Sequence, residues 1–385
     1  MSKKLTVFFL HNVVSPYRLP IFEELNQSVE LDVNFCIART SDRKWNTSLN
    51  GYSFKHTILK SIRLGPFIIN PNLLNILYRN SYDVYLVGDF PETVWSTFMT
   101  ILVAKLRHKP VVLWSETTDN NVIYFQNLAL SHNTIHRMIL AVLSTGIGMY
   151  RKILHTTPDT IAALSHRAHA FLIAQNVPAN KIFEGIQVYP CELLDQPDSS
   201  KLAKLYSKKT VLLYLGYLNA LKGIDHLVLA MKYIPDPNIQ LLIVGDGPQK
   251  ECLKELAKND DRIEFTGYTE GIAKANLMRR ADLLILPTLA DCWGMVINES
   301  LYYGTPVVAS AAAGATEIIQ NNVNGKIIPP GNPQALAAMI NELTQNKQRL
   351  QALKRGAANT STDITNRRVG AKPLIDAITQ AGATV

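Results

Sequence analysis

Between residues 281 and 310 the chain reads as strand, loop, helix and strand, and this unit constrains the fold more than any other stretch. The apolar run Ala281-Asp-Leu-Leu-Ile-Leu-Pro287 predicts a strand that stops at its proline. A loop follows with Asp291, Gly294 and Glu299, a helix runs to Gly304, and Pro306-Val-Val-Ala-Ser310 opens the next strand. That is one βαβ unit of a parallel sheet. In open α/β sheets ligands gather at the carboxyl ends of the strands, where this loop falls. Gly294 lets backbone N–H groups approach an anion near a helix N-terminus.

The same alternation recurs along the chain. Short apolar runs at 4–10, 29–38, 82–87, 111–114 and 160–165 predict strands, with helices at 19–26 and 168–175. A second series places strands at 211–216, 239–245, 262–266, 282–286 and 325–329, with helices at 223–232, 249–258 and 333–344. Such runs suit parallel sheets buried on both faces. A chain of 385 residues exceeds one ordinary core, and 47% apolar residues suffice for two. The turn-rich stretch 191–209 reads as a linker between an N-terminal domain, 1–190, and a C-terminal domain, 210–368. Residues 369–385, with a helical stretch at 372–379, are expected to form a C-terminal helix that returns to the first domain.

Residues 1–190 hold 18 Lys and Arg against 12 Asp and Glu, so most of the net charge of +8 lies in the N-terminal half. That excess fits ordinary solubility charge, or attraction to an anionic acceptor or an anionic membrane face. Nothing in the pattern points to nucleic acid. Cys36, Cys191, Cys252 and Cys292 stand far apart without metal-ligand spacing, which predicts a reducing compartment. The first ten residues do not read as a signal peptide. The longest apolar stretch, 138–150, is too short for a membrane span. Residues 132–154 have basic ends around an apolar middle, which fits a core helix or an amphipathic helix on a membrane surface. The expected location is the cytoplasm, with peripheral contact at the inner membrane face left open.

The acids at 291 and 299, with Ser300 and Gly304-Thr-Pro306-Val-Val after them, carry a resemblance. They are similar to the retaining nucleotide-sugar glycosyltransferases of family four, the glycosyl transferases group 1. The signature of that family is Glu, seven residues, Glu, then Ala-x-x-x-Gly-x-Pro-Val. Here Asp291 replaces the first Glu and Ser300 the Ala. The resemblance implies the GT-B fold: α/β, two Rossmann-like domains with parallel sheets facing a central cleft. It further implies transfer of a sugar from a nucleoside-diphosphate sugar, UDP more readily than GDP, with retention, as in polysaccharide biosynthesis. The acceptor would be a hydroxyl on a glycan, a lipid-linked sugar or a small molecule. Two alternatives stand beside it: a nucleotide-sugar epimerase of the same architecture, and a catalytically silent scaffold.

Such a transfer needs its departing diphosphate neutralised. The sequence has no Asp-x-Asp to hold a metal, so no metal or other cofactor is expected. Lysine, arginine and backbone N–H groups remain for the task. By resemblance, Gly216-Tyr217…Lys222-Gly223 is the family's Gly-Arg-Leu…Lys-Gly loop, with Lys222 on the diphosphate and Tyr217 where the family has Arg. Glu299 would take the ribose hydroxyls, and Asp291 would face the reacting carbon and the donor sugar. Gly294, Met295 and Val296 would offer backbone N–H groups, and Gly267 and Tyr268 would lie near the base. Val244-Gly-Asp-Gly-Pro-Gln249 reads as a structural turn rather than a dinucleotide fingerprint.

In the first domain, Asn12-Val-Val-Ser-Pro16-Tyr17-Arg18 resembles the Ser-Pro-Tyr-Arg subset of the family. Arg18 would then face the cleft near diphosphate or acceptor, and a structural arginine fits the residues equally. His11, at the expected end of the first strand, is a candidate on the acceptor side, or a satisfied loop histidine. Many family members have a His after the strand at 111–114; here Glu116 lies there and becomes a candidate catalytic residue. Asp89 and Glu92 could meet acceptor hydroxyls, or be solvated loop acids.

Overall fold

The computed structural model describes residues 4–40, 47–65, 67–118, 150–190, 209–360 and 362–383. It divides into two compact units: Met1–Gln187 together with Asn366–Val385, and Val188–Thr365. The stretch read as a linker lies outside the described residues except for Lys209, as does most of the basic-ended stretch 132–154.

The first unit is built on β1 (Thr6–Val13), β2 (Glu30–Ile37), β3 (Lys55–Ile58), the hairpin β4 (Ile62–Leu64) and β5 (Phe67–Ile69), β6 (Val84–Gly88), β7 (Val111–Ser115), β8 (Thr160–Ala163) and β9 (Ile182–Glu184). Seven of these form a parallel sheet in the order β3-β2-β1-β6-β7-β8-β9. Its helices are α1 (Leu19–Ser28), α2 (Leu73–Arg79), α3 (Val94–Leu106) and α4 (His166–Ala174). Phe8, Leu10, Tyr85, Val87, Leu113 and Ile161 pack in one buried cluster on this sheet. Burial of such side chains contributes about 1.5–3 kcal/mol each, and this anchors the central strands. β1 runs past the expected end at Leu10, because parallel pairing continues through His11↔Phe35 and Val13↔Ile37. The expected strand end at 165 is instead a helix cap: the Ser165 side chain accepts from the Ala168 N–H.

The second unit holds β10 (Thr210–Leu215), β11 (Ile239–Val244), β12 (Ile263–Gly267), β13 (Leu283–Leu286), β14 (Val307–Ser310) and β15 (Gly325–Ile328). All pairs are parallel, in the order β12-β11-β10-β13-β14-β15. Counted along the unit this is 3-2-1-4-5-6, the Rossmann order. The helices are α5 (Ile224–Met231), α6 (Lys250–Ala257), α7 (Gly271–Arg280), α8 (Val296–Tyr302), α9 (Pro333–Gln345) and α10 (Lys347–Ala358). The last helix, α11 (Arg367–Gly382), belongs to the first unit and is longer than the stretch 372–379 read from sequence. Asn366 caps it by accepting from the Arg368 N–H, and Thr160 of β8 donates to its Ala377 carbonyl at 2.8 Å. Arg367 and Arg368 both pair with Glu24 of α1.

One arginine pins the second unit internally. Arg262 donates to the carbonyls of Met231, Ile234 and Asp236, and twice to the Asp260 carboxylate at 2.8 and 2.7 Å. It thereby ties the end of α5 to the start of β12. Hydrogen bonds from Arg262 hold the Asp260 carboxyl below its ordinary range, against the opposing effect of burial. A depressed carboxylate contributes stability above its unfolded pKa of about 3.9, and that stability is lost as pH falls through the folded value. Arg262→Ala should therefore lower unfolding stability by about 2–3 kcal/mol at neutral pH, as expected for lost hydrogen bonds to a charged group. Asp260→Asn should flatten the acid limb of stability below about pH 4. Urea midpoints measured against pH check both; an unchanged acid limb in Asp260→Asn contradicts the assignment.

Candidate active site

In the second unit the strand order reverses between β10 and β13, so the loops after these two strands lie side by side at the carboxyl edge, where open α/β sheets bind ligands. The loop after β10 ends in a single turn at Ala220–Lys222. Its Leu221 carbonyl accepts from Leu289 N at 2.7 Å and from Thr288 Oγ1 at 2.8 Å, just beyond β13. Gly223 makes this contact possible. Its φ is +59°, and a Cβ there would lie 2.4 Å from the Pro287 carbonyl oxygen. The two loops are thus stitched together, and Lys222 Nζ meets Asp291 Oδ2 at 2.5 Å. Both side chains are largely covered, 23% and 15% exposed, so the charges feel each other with little screening.

Asp291 is itself held from behind. Its N–H donates to Ala312, its carbonyl accepts from Gly314 N at 3.1 Å, and Ala315 N donates to Trp293. Trp293 Nε1 in turn donates to Asn298 Oδ1 at 2.7 Å. Gly294, with φ +100°, lies beside this acid: a Cβ there would sit 3.6 Å from Asp291 Oδ2. Met295 and Val296 form the first turn of α8. Gly216 follows β10, and the Tyr214 hydroxyl donates to the Tyr217 carbonyl at 3.1 Å. Burial, and then the Asp291 charge, raise the Tyr214 pKa well above its ordinary value, so Tyr214 stays a neutral phenol.

Glu299 lies in the first turn of α8 and is 2% exposed. Its partner is Lys274 of α7, in a charge pair that lacks the alignment of a directional hydrogen bond. The Lys274 ammonium also sits 5.2 Å from the Tyr189 ring centroid. Gly267 accepts from Gly245 N at 2.9 Å, which ties the loop after β12 to the loop after β11. The Tyr268 hydroxyl donates to Glu270; burial, that bond and the Glu270 charge push its pKa up to about 12. The loop at 244–249 is a turn: Leu218 N donates to Asp246, and Gln249 N to Leu218.

In the first unit the corresponding reversal lies between β1 and β6. Arg18, just before α1, forms a charge pair with Glu116 beyond β7, and Trp114 Nε1 donates to Glu116 Oε1 at 2.6 Å. The guanidinium stacks 4.8 Å from the Trp114 ring centroid. Burial opposes the Arg18 charge, but Glu116 and Tyr17 outweigh it and raise its pKa. Two expectations need correction here. His11 is neither a strand end nor open to a ligand: it is 1% exposed, among Phe9, Phe22, Phe90 and Trp114. Burial, followed by the Arg18 charge, lowers its pKa well below the ordinary value, so it stays neutral. Asp89 is not a solvated loop acid. It is buried, accepts from Thr117 and faces His155 Nε2 at 3.7 Å. Glu92 accepts from Asn12 Nδ2 at 2.9 Å.

Residues 195–360 match the family described as glycosyl transferases group 1. The match covers most of the second unit. Lys222, Lys274, Asp291 and Glu299 all fall within the matched residues. A glycosyltransferase of Methanocaldococcus jannaschii is 34% identical over 33% of this chain and 34% of its own length. The N-acetyl-alpha-D-glucosaminyl L-malate synthase of Bacillus anthracis is 26% identical over 49% of this chain and 51% of its own. The chain thus spans between a third and about half of these two curated relatives. Anabaena HepE, solved in complex with UDP, superposes with TM-score 0.73 at 19% identity, covering 98% of this chain and all of that one. Two parallel-sheet Rossmann-like units in one chain, with this likeness, make the fold GT-B.

Within the second unit the structure brings Lys222, Asp291 and Gly294 together, and Gly216 and Tyr217 lie on the same β10 loop. Lys274 and Tyr189 are additions the sequence did not signal. Lys274 comes from α7, a helix the apolar periodicity did not reveal, and it reaches Glu299 because α7 packs on α8.

Proposed function

We propose that this chain transfers a sugar from a nucleoside-diphosphate sugar, with UDP the favoured nucleotide, to a hydroxyl acceptor, retaining the anomeric configuration and using no metal. The observation that carries the reading is the Lys222–Asp291 pair at the strand-order reversal of the second unit. A cation beside an acid at that edge suits a reaction in which diphosphate charge grows on one side of a carbon and positive charge grows on the carbon itself. Lys222 would leave Asp291 for the departing diphosphate. Asp291 would then face the oxocarbenium character of the sugar. The bond from the anomeric carbon to the phosphate oxygen breaks, and a bond to the acceptor oxygen forms on the same face. The acceptor proton passes to the departing phosphate oxygen.

Glu299 would accept both ribose hydroxyls, a task suited to a carboxylate, with Lys274 balancing its charge. Gly216 and Tyr217 would line the diphosphate, Gly294, Met295 and Val296 would present backbone N–H groups, and Gly267 and Tyr268 would border the base. In the first unit, Arg18 and Glu116 would form the acceptor-side pair. UDP is favoured because HepE, which shares the fold, holds it. The acceptor is a glycan, lipid-linked or small-molecule hydroxyl.

A ligand screen by thermal unfolding, with and without EDTA, tests the reading. UDP at about 100 times its dissociation constant should stabilise the chain by roughly 2.7 kcal/mol. Both that stabilisation and transfer should survive the chelator. Loss of transfer with EDTA, restored by Mn²⁺ or Mg²⁺, would overturn the metal-free mechanism. Failure of every nucleoside diphosphate to stabilise the chain would overturn the donor assignment.

A further inference from the structure

Away from both strand-order reversals, three side chains converge at the carboxyl edge of the first sheet. His166 and His169 stand on the first turn of α4, three positions apart, so they share a face of that helix. Glu184 ends β9, the short strand at the end of the sheet. The Ser165 cap fixes the turn that carries both histidines. His166 Nδ1 lies 3.2 Å from Glu184 Oε1, and His169 Nδ1 contacts Glu184 Oε2. The three ligand atoms all lie within 4.8 Å of one another. His166 is 74% exposed, Glu184 38% and His169 28%, so the group is open to solvent.

The geometry points to a transition-metal site of His166 Nδ1, His169 Nδ1 and the Glu184 carboxylate, with Zn²⁺ as the ion of matching chemistry. Two imidazoles and one carboxylate are a zinc-type ligand set that leaves a fourth position for water. Ligands about 2.0–2.2 Å from a tetrahedral ion are roughly 3.3–3.5 Å apart, so the His169–Glu184 contact must lengthen to that spacing to admit the ion. His166 and His169 stand 18 and 15 residues from Glu184 in the chain, so a bound ion would clip the start of α4 to the edge strand. This site is separate from the metal-free transfer chemistry proposed for the second unit.

The test uses the full chain without a polyhistidine tag, stripped by chelator and titrated with Co²⁺ and then Zn²⁺. One equivalent of Co²⁺ should bind with the ligand-field absorption of a four-coordinate nitrogen–oxygen site, and Zn²⁺ should displace it and raise Tm. Glu184→Gln, His169→Gln and His166→Gln should each weaken Co²⁺ binding at least about tenfold. His166→Gln alters the most exposed of the three, so it keeps the test decisive if another variant fails to fold. UDP stabilisation should be equal in parent and variants, which separates this proposal from the donor assignment. No saturable uptake by the parent, or equal uptake by the variants, would reduce the cluster to surface ion pairs and overturn the site.

Discussion

Lys222→Ala should slow sugar transfer about a hundredfold and weaken nucleoside diphosphate binding. Losing one oriented charge at a developing anion costs on the order of 3 kcal/mol. The structure adds a second reason for a large effect. Lys222 is the cation against Asp291, and both are mostly covered, so its removal leaves an uncompensated acid beside the position proposed for the diphosphate. The loss should therefore appear in UDP affinity as well as in kcat. Lys222→Arg keeps the charge but cannot reproduce a compact ammonium 2.5 Å from Asp291, and should recover part of the activity. The double variant Lys222→Ala with Asp291→Asn separates the two contributions. If Lys222 served only to neutralise Asp291, the double variant would bind UDP as the parent does. If Lys222 holds the diphosphate, the double variant stays weak. Unchanged UDP affinity and turnover in Lys222→Ala alone would remove Lys222 from the mechanism.

The sequence made the loops legible better than the pairings between them. Lys222 and Asp291 each follow an apolar run that stops at a glycine or proline, so their place at strand ends could be read directly. Their contact depends on β10 and β13 being neighbours, a consequence of strand order that spacing along the chain does not display. Lys274 shows the limit more sharply. Its partner Glu299 lies on a different helix, and α7 has mixed composition with no clear apolar stripe. His11 was misplaced because polar Asn12 beside it imitates the start of a loop. Pairing with β2 nevertheless carries β1 through Val13, and aromatic rings close over the imidazole. Short strands such as β3 and β9 escaped notice because four and three residues are too few for a period to declare itself.

The two acids of the second unit should fail in different ways. Asp291→Asn should leave UDP affinity nearly intact while lowering kcat on the order of a hundredfold, the pattern of an interaction made chiefly in the transition state. The neutral amide keeps one of the two acceptor positions used by Lys222 Nζ and the Trp293 N–H, and the backbone bonds of Asp291 to Ala312 and Gly314 still hold the loop. What it loses is the negative charge proposed to face the sugar carbon. Glu299→Gln should instead weaken UDP and the intact donor together, by about tenfold, since the amide offers one good acceptor where two ribose hydroxyls need partners. It also strips Lys274 of its charge partner at a site that is 3% exposed on the Glu299 side, so Tm should fall further in Glu299→Gln than in Asp291→Asn, whose pair with Lys222 is less covered. Equilibrium UDP binding, single-turnover transfer and thermal unfolding, measured on the same preparations, separate the two. Parent-rate transfer by Asp291→Asn would make Asp291 a loop residue and shift the search for the catalytic acid to Glu116, which Arg18 and Trp114 hold in the first unit. Equal UDP affinity in parent and Glu299→Gln would free Glu299 from the ribose and leave it as the structural partner of Lys274.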